Sequence, residues 1–385
     1  MSSFAFSTVA TLLSEPGLAR RLGEVITERF PNVRRPLIVT DAGFLRTGLL
    51  DLPRLSLEQN GKSAIVFSEV LADPPESVVL AAVDAARRME ADLVIGIGGG
   101  SSMDVAKLVA VLAPSPQLLP EIYGIGKVSG KRLPLIQVPT TAGTGSEVTN
   151  IAIVTTGAAT KMGVVAPQLY ADLAILDATL TLGLPPAVRA ATGIDAMVHA
   201  IEAYTSKHKK NPISDALARE ALRLLSRNLI RACEHGHDLE ARQAMLLGAC
   251  LAGQAFSNAP VAAVHALAYP IGGIFHVPHG LSNSLVLPHV LRFNMPAAAG
   301  LYAELAAIVV PHASGSEEAR TEALIVAMQQ IAKITGIETM LSQVGIRESD
   351  LDRLAADAML QTRLLGNNPR ELTQADARAI YAAAL

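Results

Sequence analysis

The sequence predicts two domains of different class: an α/β domain built on a parallel sheet over residues 1–184, and an all-helical domain over residues 185–385. Three observations lead there. A chain of 385 residues exceeds what one hydrophobic core usually serves. Its first half alternates short apolar runs with amphipathic stretches, the pattern of a parallel sheet covered by helices. After Leu184-Pro-Pro186 the composition turns Ala/Leu-rich with helical periodicity, and no further strand pattern follows.

In order, Pro36 to Thr40 and Ser63 to Phe67 are short β-branched and apolar runs and predict strands. Glu76 to Glu90 repeats its apolar positions every third or fourth residue and predicts a helix. Leu93 to Ile97 and Pro134 to Val138 predict two further strands, and Pro212 to Cys233 and Ala241 to Phe256 predict helices. The boundary falls near Gly183 to Pro186.

Charge and composition narrow the function. A net charge of -3 without long basic runs argues against a nucleic-acid partner. Lys207 to Lys210 is the one basic cluster and fits a solvated helix end. Polar residues or prolines interrupt every apolar run before it reaches the ~18 residues of a membrane span. The N-terminus lacks the basic flank and apolar stretch of a signal peptide. Cys233 and Cys250 are expected as thiols, since a chain with a core of this size needs no staple. The expectation is a cytoplasmic protein without a membrane partner, assembled as a homodimer or larger homo-oligomer.

Two stretches suit a nucleotide. Gly96-Ile-Gly98-Gly99-Gly100-Ser101 follows an apolar strand and opens a helix, so backbone N–H groups and the helix dipole can face a pyrophosphate. The loop is neither a Walker loop nor a strict G-x-G-x-x-G, and a tight strand-to-helix turn would read the same. Thr140-Thr141-Ala-Gly-Thr144-Gly-Ser146 ends the Pro134 strand with hydroxyls and small residues that can approach a cofactor or cap a helix. Asp41 closes the Pro36 strand, where ligands of open α/β sheets collect. An Asx turn at Asp41-Ala-Gly43 is its alternative.

A third stretch suits a metal. Asp195 and His199 stand four apart in a helical segment and share a face. His265, His276 and His279 follow among apolar residues, with His289 beyond. A carboxylate with several imidazoles suits a divalent cation, while a hydrogen-bonded pair and core histidines remain the alternative.

GIGGGSSMDVAK (96 to 107), PTTAGTGSEVT (139 to 149), GIDAMVHAIEAY (193 to 204) and HALAYPIGGIFHVPHG (265 to 280), in that order, resemble the iron-containing (group III) alcohol dehydrogenases over nearly the whole chain. The resemblance implies a Rossmann-like first domain, an active site in the cleft between the domains, and Asp195, His199, His265 and His279 as ligands of Fe(II), with Zn(II) an alternative. It implies NAD rather than NADP through Asp41, and a cofactor bordered by Gly98, Gly99, Gly100, Ser101, Asp104, Thr140, Thr141, Thr144, Ser146, Lys161 and Leu182. Asn150 and Phe256 would line the substrate pocket, and His276 would border it. Lys161 could equally be a strand-edge charge, and Phe256 ordinary core. Tyr269 stands where many relatives carry histidine, four residues after His265. It is expected as a pocket wall, with His265, His279, Tyr269 and His276 grouped as the catalytic set.

Between Arg242 and Arg292 the chain has no charged side chain except imidazole, and this window supplies His265, His279 and Phe256. A pocket walled by it lacks a clamp for phosphate or carboxylate. That favours a small neutral alcohol or diol, such as ethanol, butanol or a propanediol, or an aldehyde such as lactaldehyde. Rival readings are a hydroxyacid-oxoacid transhydrogenase and a lyase resembling dehydroquinate synthase. Both would release no free NADH, and the lyase would need several cations. A non-catalytic scaffold would leave two cofactor motifs idle.

Overall fold

The structure is a computed structural model and describes residues 3–157 and 160–385. It separates into two compact units, one of Thr8–Thr141 with Gly145–Gly183, the other of Leu184–Leu385 with Ala142–Thr144 and the N-terminal stretch ending at Ser7. The division is therefore not a single cut after residue 184. Ser7 belongs with the helical unit because its N–H donates to Asn258 Oδ1 at 2.8 Å and its carbonyl accepts from Asn258 Nδ2 at 2.9 Å. Gly143 belongs there because a Cβ on it would stand 2.8 Å from Thr192 Cβ, an approach only glycine allows.

The α/β unit runs β1 (Thr11–Ser14), α1 (Leu22–Arg29), β2 (Pro36–Asp41), α2 (Ala42–Leu45), α3 (Asp51–Gln59), β3 (Ile65–Val70), α4 (Glu76–Arg88), β4 (Leu93–Gly98), α5 (Gly100–Leu112), β5 (Gly124–Ile125), β6 (Leu135–Pro139), β7 (Ile151–Thr156), β8 (Thr160–Val165) and β9 (Leu173–Leu176). Six strands form one sheet in the order β1-β9-β6-β4-β2-β3, with every pair parallel. Ile38, Ile95, Ile97, Ile136, Val138 and Ile175 are fully buried, as strands covered on both faces require. The order sets β2 and β6 on either side of β4, with Gly98 paired to Pro139. Asp41, Gly98 and Thr140 therefore end neighbouring strands at the carboxyl edge, where such sheets bind ligands.

The short strands β1 and β9 and the antiparallel β7–β8 pair carry too little periodicity to stand out in the sequence. The four-residue β9 nonetheless lies inside the sheet, between β1 and β6.

The helical unit contains α6 (Pro186–Thr205), α7 (Pro212–Glu234), α8 (Leu239–Asn258), α9 (Ala263–Phe275), α10 (His279–Val309), α11 (Glu317–Ile334), α12 (Leu351–Met359), α13 (Thr362–Leu365) and α14 (Gln374–Ala384). Among the described residues no strand follows Leu184. Helix α6 is the axis of this unit, buried almost all round from Ala190 to Thr205, as a helix at the centre of a core must be. Pro186 at its first position spares an N–H that would lack a partner. Gly193 lets α7 pack onto it, since a Cβ there would stand 2.4 Å from Leu229 Cδ1.

Among the described residues no single helix is long and apolar enough to cross a membrane. The bent pair α8 and α9 passes that test on length and composition only, and much of it is buried in the helical core. Neither Cys233 nor Cys250 is in a disulfide among the described residues.

Candidate metal centre and nucleotide edge

Helix α6 projects Asp195 and His199 from one face, α9 brings His265, and α10 opens with His279 directly after Pro278. One donor atom from each of the four residues lies within 4.8 Å of the others. Asp195 Oδ1 is 3.8 Å from His265 Nε2 and 3.7 Å from His279 Nε2. Those separations are too long for hydrogen bonds. They approach the roughly 3.4 Å between two donors sharing one tetrahedral ion at ~2.1 Å.

Glycine sets one approach: a Cβ on Gly280 would stand 2.4 Å from Ala191 O, so any larger residue would push the start of α10 away from Asp195. The His199 ring is stacked between Phe256, at 4.4 Å, and His265, at 4.7 Å. Tyr269 tilts against His279 at 6.0 Å. His279 is 42% exposed while Asp195 and His265 are buried, so the cluster opens on the His279 side.

The electrostatics favour a cation. Burial alone would raise the Asp195 carboxyl, but the imidazoles of His199, His279 and His265 and the Asn283 amide hold it below the usual carboxylate range. Burial, partly opposed by Asp195, pushes the His199 imidazole down to about 3. Asp195 is thus an anion beside a neutral imidazole, the protonation a divalent cation requires. His265 Nε2 is buried and has no hydrogen-bond partner among the described residues. A lone pair left unused in a buried site needs an explanation, and an ion supplies one. The donor set fits iron or zinc, since a carboxylate with imidazoles accommodates either.

In the α/β unit, β4 runs into α5 with Gly99 at the N-cap. A Cβ on Gly98 would lie 2.6 Å from Ser102, and one on Gly96 would lie 2.2 Å from Gln137 Oε1, so the loop tolerates no side chains at either position. Gly99, Gly100 and Ser101 are partly exposed at the start of the helix, where N–H groups face outward. Thr140 N–H donates to Gly98 O at 2.9 Å, fastening the two strand ends together. Asp41 uses Oδ1 to cap α2 through Phe44 N–H at 2.8 Å, so the Asx-type turn is present. Its Oδ2 lies 3.6 Å from where a Cβ on Gly98 would stand, beside the glycine loop.

A family model for iron-containing alcohol dehydrogenases matches residues 10–178, and one for the C-terminal part of the Fe-containing alcohol dehydrogenase family matches residues 189–385. The chain belongs to the iron-containing alcohol dehydrogenase family. It is 44% identical over 352 residues to long-chain-alcohol dehydrogenase 1 of Geobacillus thermodenitrificans, covering 90% of this chain and 89% of that one. It is 34% identical over 352 residues to 1,3-propanediol dehydrogenase of Klebsiella pneumoniae, covering 90% of each. Among solved structures, a 1,3-propanediol oxidoreductase superposes with a TM-score of 0.95 at 32% identity over 100% of both chains. The sulfoacetaldehyde reductase of Bifidobacterium kashiwanohense, solved with NAD+, superposes with a TM-score of 0.89 at 28% identity, covering 100% of this chain and 99% of that one. The enzyme is therefore an oxidoreductase of the iron-containing alcohol dehydrogenase type.

Several expected residues are engaged otherwise than the motifs suggest. Asp104 and Ser146 turn toward a buried lysine: Lys107 Nζ donates to Ser146 Oγ at 2.7 Å, Thr149 Oγ1 at 3.0 Å, Ile151 O at 2.7 Å and Asp104 Oδ1 at 3.3 Å. Asp104 also accepts from Ser146 Oγ at 2.6 Å and Ile153 N–H at 3.0 Å. Lys161, on β8, pairs with Asp73 at 2.5 Å and donates to Thr155 Oγ1 at 3.0 Å. His276 does not join the cluster. It ends α9 in the left-handed region at φ 55°, exposed. His289 is partly buried in α10, also outside the four-donor set. Thr141, Asn150 and Leu182 are partly buried in the α/β unit, and Thr144 belongs to the helical one.

Three functional-site neighbours escaped the sequence reading: Glu202, Asn283 and Lys107. Asn283 Nδ2 donates to Asp195 Oδ1 at 2.6 Å and lies 3.2 Å from His279 Nε2. Glu202 and Asn283 each stand three or four residues after a donor on the same helix, and Lys107 is a charge within an apolar helix. Those spacings were signals available in the sequence.

Proposed function

We propose that the enzyme transfers a hydride between a small neutral primary alcohol or diol, or its aldehyde, and NAD, with Asp195, His199, His265 and His279 holding the metal. The observation that carries this reading is the four-donor cluster, with Phe256 stacked on His199 and Tyr269 against His279. When bound there, the divalent ion would supply Lewis acidity that lowers the pKa of a coordinated O–H, as it brings bound water down to ~7, a preference for the anion of roughly 12 kcal/mol. The protein's own part is to keep one imidazole neutral and one carboxylate ionised, to wall the site with apolar rings, and to open it on the His279 side. Asp41 and the glycine loop are read as the ribose and pyrophosphate edge, with Thr140, Thr141, Thr144, Ser146, Asp104, Lys161 and Leu182 bordering the cofactor and Asn150 and Phe256 the substrate. His276 is left as a residue at the pocket rim. In this reading residues 1–184 serve NAD and residues 185–385 the metal. A cytoplasmic homo-oligomer without nucleic-acid or membrane partners completes it, supported by two cysteines outside any disulfide and a near-neutral charge.

The test is a screen of free NADH formation across ethanol, butanol and propanediols with metal-stripped enzyme refilled by Fe(II) or Zn(II). Activity that returns with metal on neutral alcohols is expected. A preference for carboxylated or phosphorylated substrates would overturn the substrate class. Full metal occupancy in His279→Ala would overturn the ligand set, because three ligands leave a labile site.

A further inference from the structure

Glu202 lies outside the four-donor set, yet it shares a face of α6 with Asp195 and His199, which precede it by seven and three residues. Its side chain is 5% exposed and both oxygens are used. Oε1 accepts from Val264 N–H at 2.7 Å, while Oε2 accepts from Ala262 N–H at 3.0 Å and lies 2.6 Å from His265 Nδ1. Helix α9 has no capping side chain of its own at Ala262, so this carboxylate from another helix receives its first N–H groups.

The chemistry then fixes a proton. Both oxygens of Glu202 already accept from backbone N–H groups, so the carboxylate faces His265 as an acceptor and Nδ1 is the donor in the short contact. In neutral imidazole the other nitrogen must carry the lone pair, and Nε2 is the buried atom without a partner that faces Asp195 Oδ1 at 3.8 Å.

We propose that Glu202 is a positioning residue for the metal: it locks His265 in the Nδ1-protonated tautomer and, by holding the start of α9, aims Nε2 into the cluster. The proposal rests on the reading of that cluster as a divalent-metal site. A glutamine could not do both jobs. It has one oxygen, and an amide N–H turned toward His265 Nδ1 would favour the opposite tautomer, whose protonated Nε2 cannot bind a cation.

The experiment uses the full chain, with zinc as the probe. The Kd for Zn(II) is measured by competition with a chromophoric chelator for wild type and Glu202→Gln, and NADH binding is followed by fluorescence as a check on the fold. The expected result is a Zn(II) Kd weaker by about 10- to 100-fold with NADH binding unchanged. A Zn(II) Kd within about twofold of wild type, with NADH binding intact, overturns the role of Glu202 and leaves the metal reading standing. Wild type that takes up no zinc or iron overturns the metal reading and this inference together. Should Glu202→Gln fail to fold, 15N-histidine spectra of zinc-loaded wild type decide, with the His265 signals assigned by their loss in His265→Asn. A protonated Nδ1 supports the assignment, and a protonated Nε2 overturns it.

Discussion

Lys107→Met tests the buried network that joins α5 to the turn at Ser146 and to β7. The lysine is fully buried, and burial, partly opposed by Asp104, holds its ammonium below the usual lysine range. Methionine keeps most of the aliphatic stem, so the substitution removes a charge and four hydrogen bonds without opening a large cavity. Ser146 Oγ still donates to Asp104 Oδ1 and Thr149 Oγ1 to Ser146 O, so both hydroxyls lose the lysine as a donor but keep a partner. Ile151 O loses the lysine's hydrogen bond, at a cost of ~1–3 kcal/mol. Asp104 loses a cation 3.3 Å away, which for a buried pair costs ~3–5 kcal/mol. Two things reduce that sum: the desolvation of the ammonium is recovered, and Asp104 retains two donors. The net loss should be about 2–4 kcal/mol, a fall in Tm of roughly 5–15 °C. Thermal unfolding followed by circular dichroism reads the stability, and NADH fluorescence titration reads the glycine loop that opens α5. NADH affinity should fall at least ~10-fold while metal content stays at the wild-type level. A variant that melts within ~1 °C of wild type and binds NADH equally well would show that the network neither stabilises the fold nor shapes the nucleotide edge.

Three further outcomes are expected. Wild type should use NAD at least ~10-fold better than NADP, and Asp41→Gly should narrow that ratio, with only about 0.3 kcal/mol of stability lost because glycine is itself tolerated at the α2 cap; a wild-type preference for NADP would sink the assignment of Asp41. Tyr269→Phe should keep turnover within about tenfold, because a phenol of pKa ~10 is a poor base at neutral pH; a thousandfold fall with metal and NAD binding intact would place the phenol in proton transfer. Burial, followed by Arg292, pushes the His289 imidazole down to about 4 from 6.5. The folded protein then binds fewer protons than the unfolded chain between those values, so stability is full above pH 6.5 and is lost as pH falls toward 4. His289→Phe should make that loss shallower by up to ~2 kcal/mol, allowing for partial exposure, as read from urea midpoints at pH ~7 and pH ~4.5; equal slopes in the two proteins would discard the explanation.

What could be read from the sequence alone was local. The helices at Glu76–Arg88, Pro212–Glu234 and Leu239–Asn258 and the strands at Pro36–Asp41 and Leu93–Gly98 announce themselves because their periodicity is a property of adjacent residues. The Asp195 and His199 pair was legible for the same reason, as two donors one helical turn apart. The family motifs extended this to His265 and His279 and to the nucleotide loop. Strand order was not legible: Asp41 meets Gly98 only because β2 is hydrogen-bonded to β4, a choice made by sheet pairing.

Tertiary structure also separated histidines the sequence could not. His276 and His279 stand three residues apart in an uncharged stretch. One ends α9 in a left-handed turn at the surface, and the other starts α10, held against Ala191 by Gly280. The same packing brought Glu202 to His265 and closed Asp104 and Ser146 around Lys107. Helix and strand formation follow from residue neighbours a few positions apart, whereas the pairing of buried polar groups depends on which distant surfaces exclude water together. For that reason the sequence by itself determined the longer, periodic elements and the chemistry of the donors, and only the tertiary structure decided where the short strands pair and which donors, acids and cations share a site.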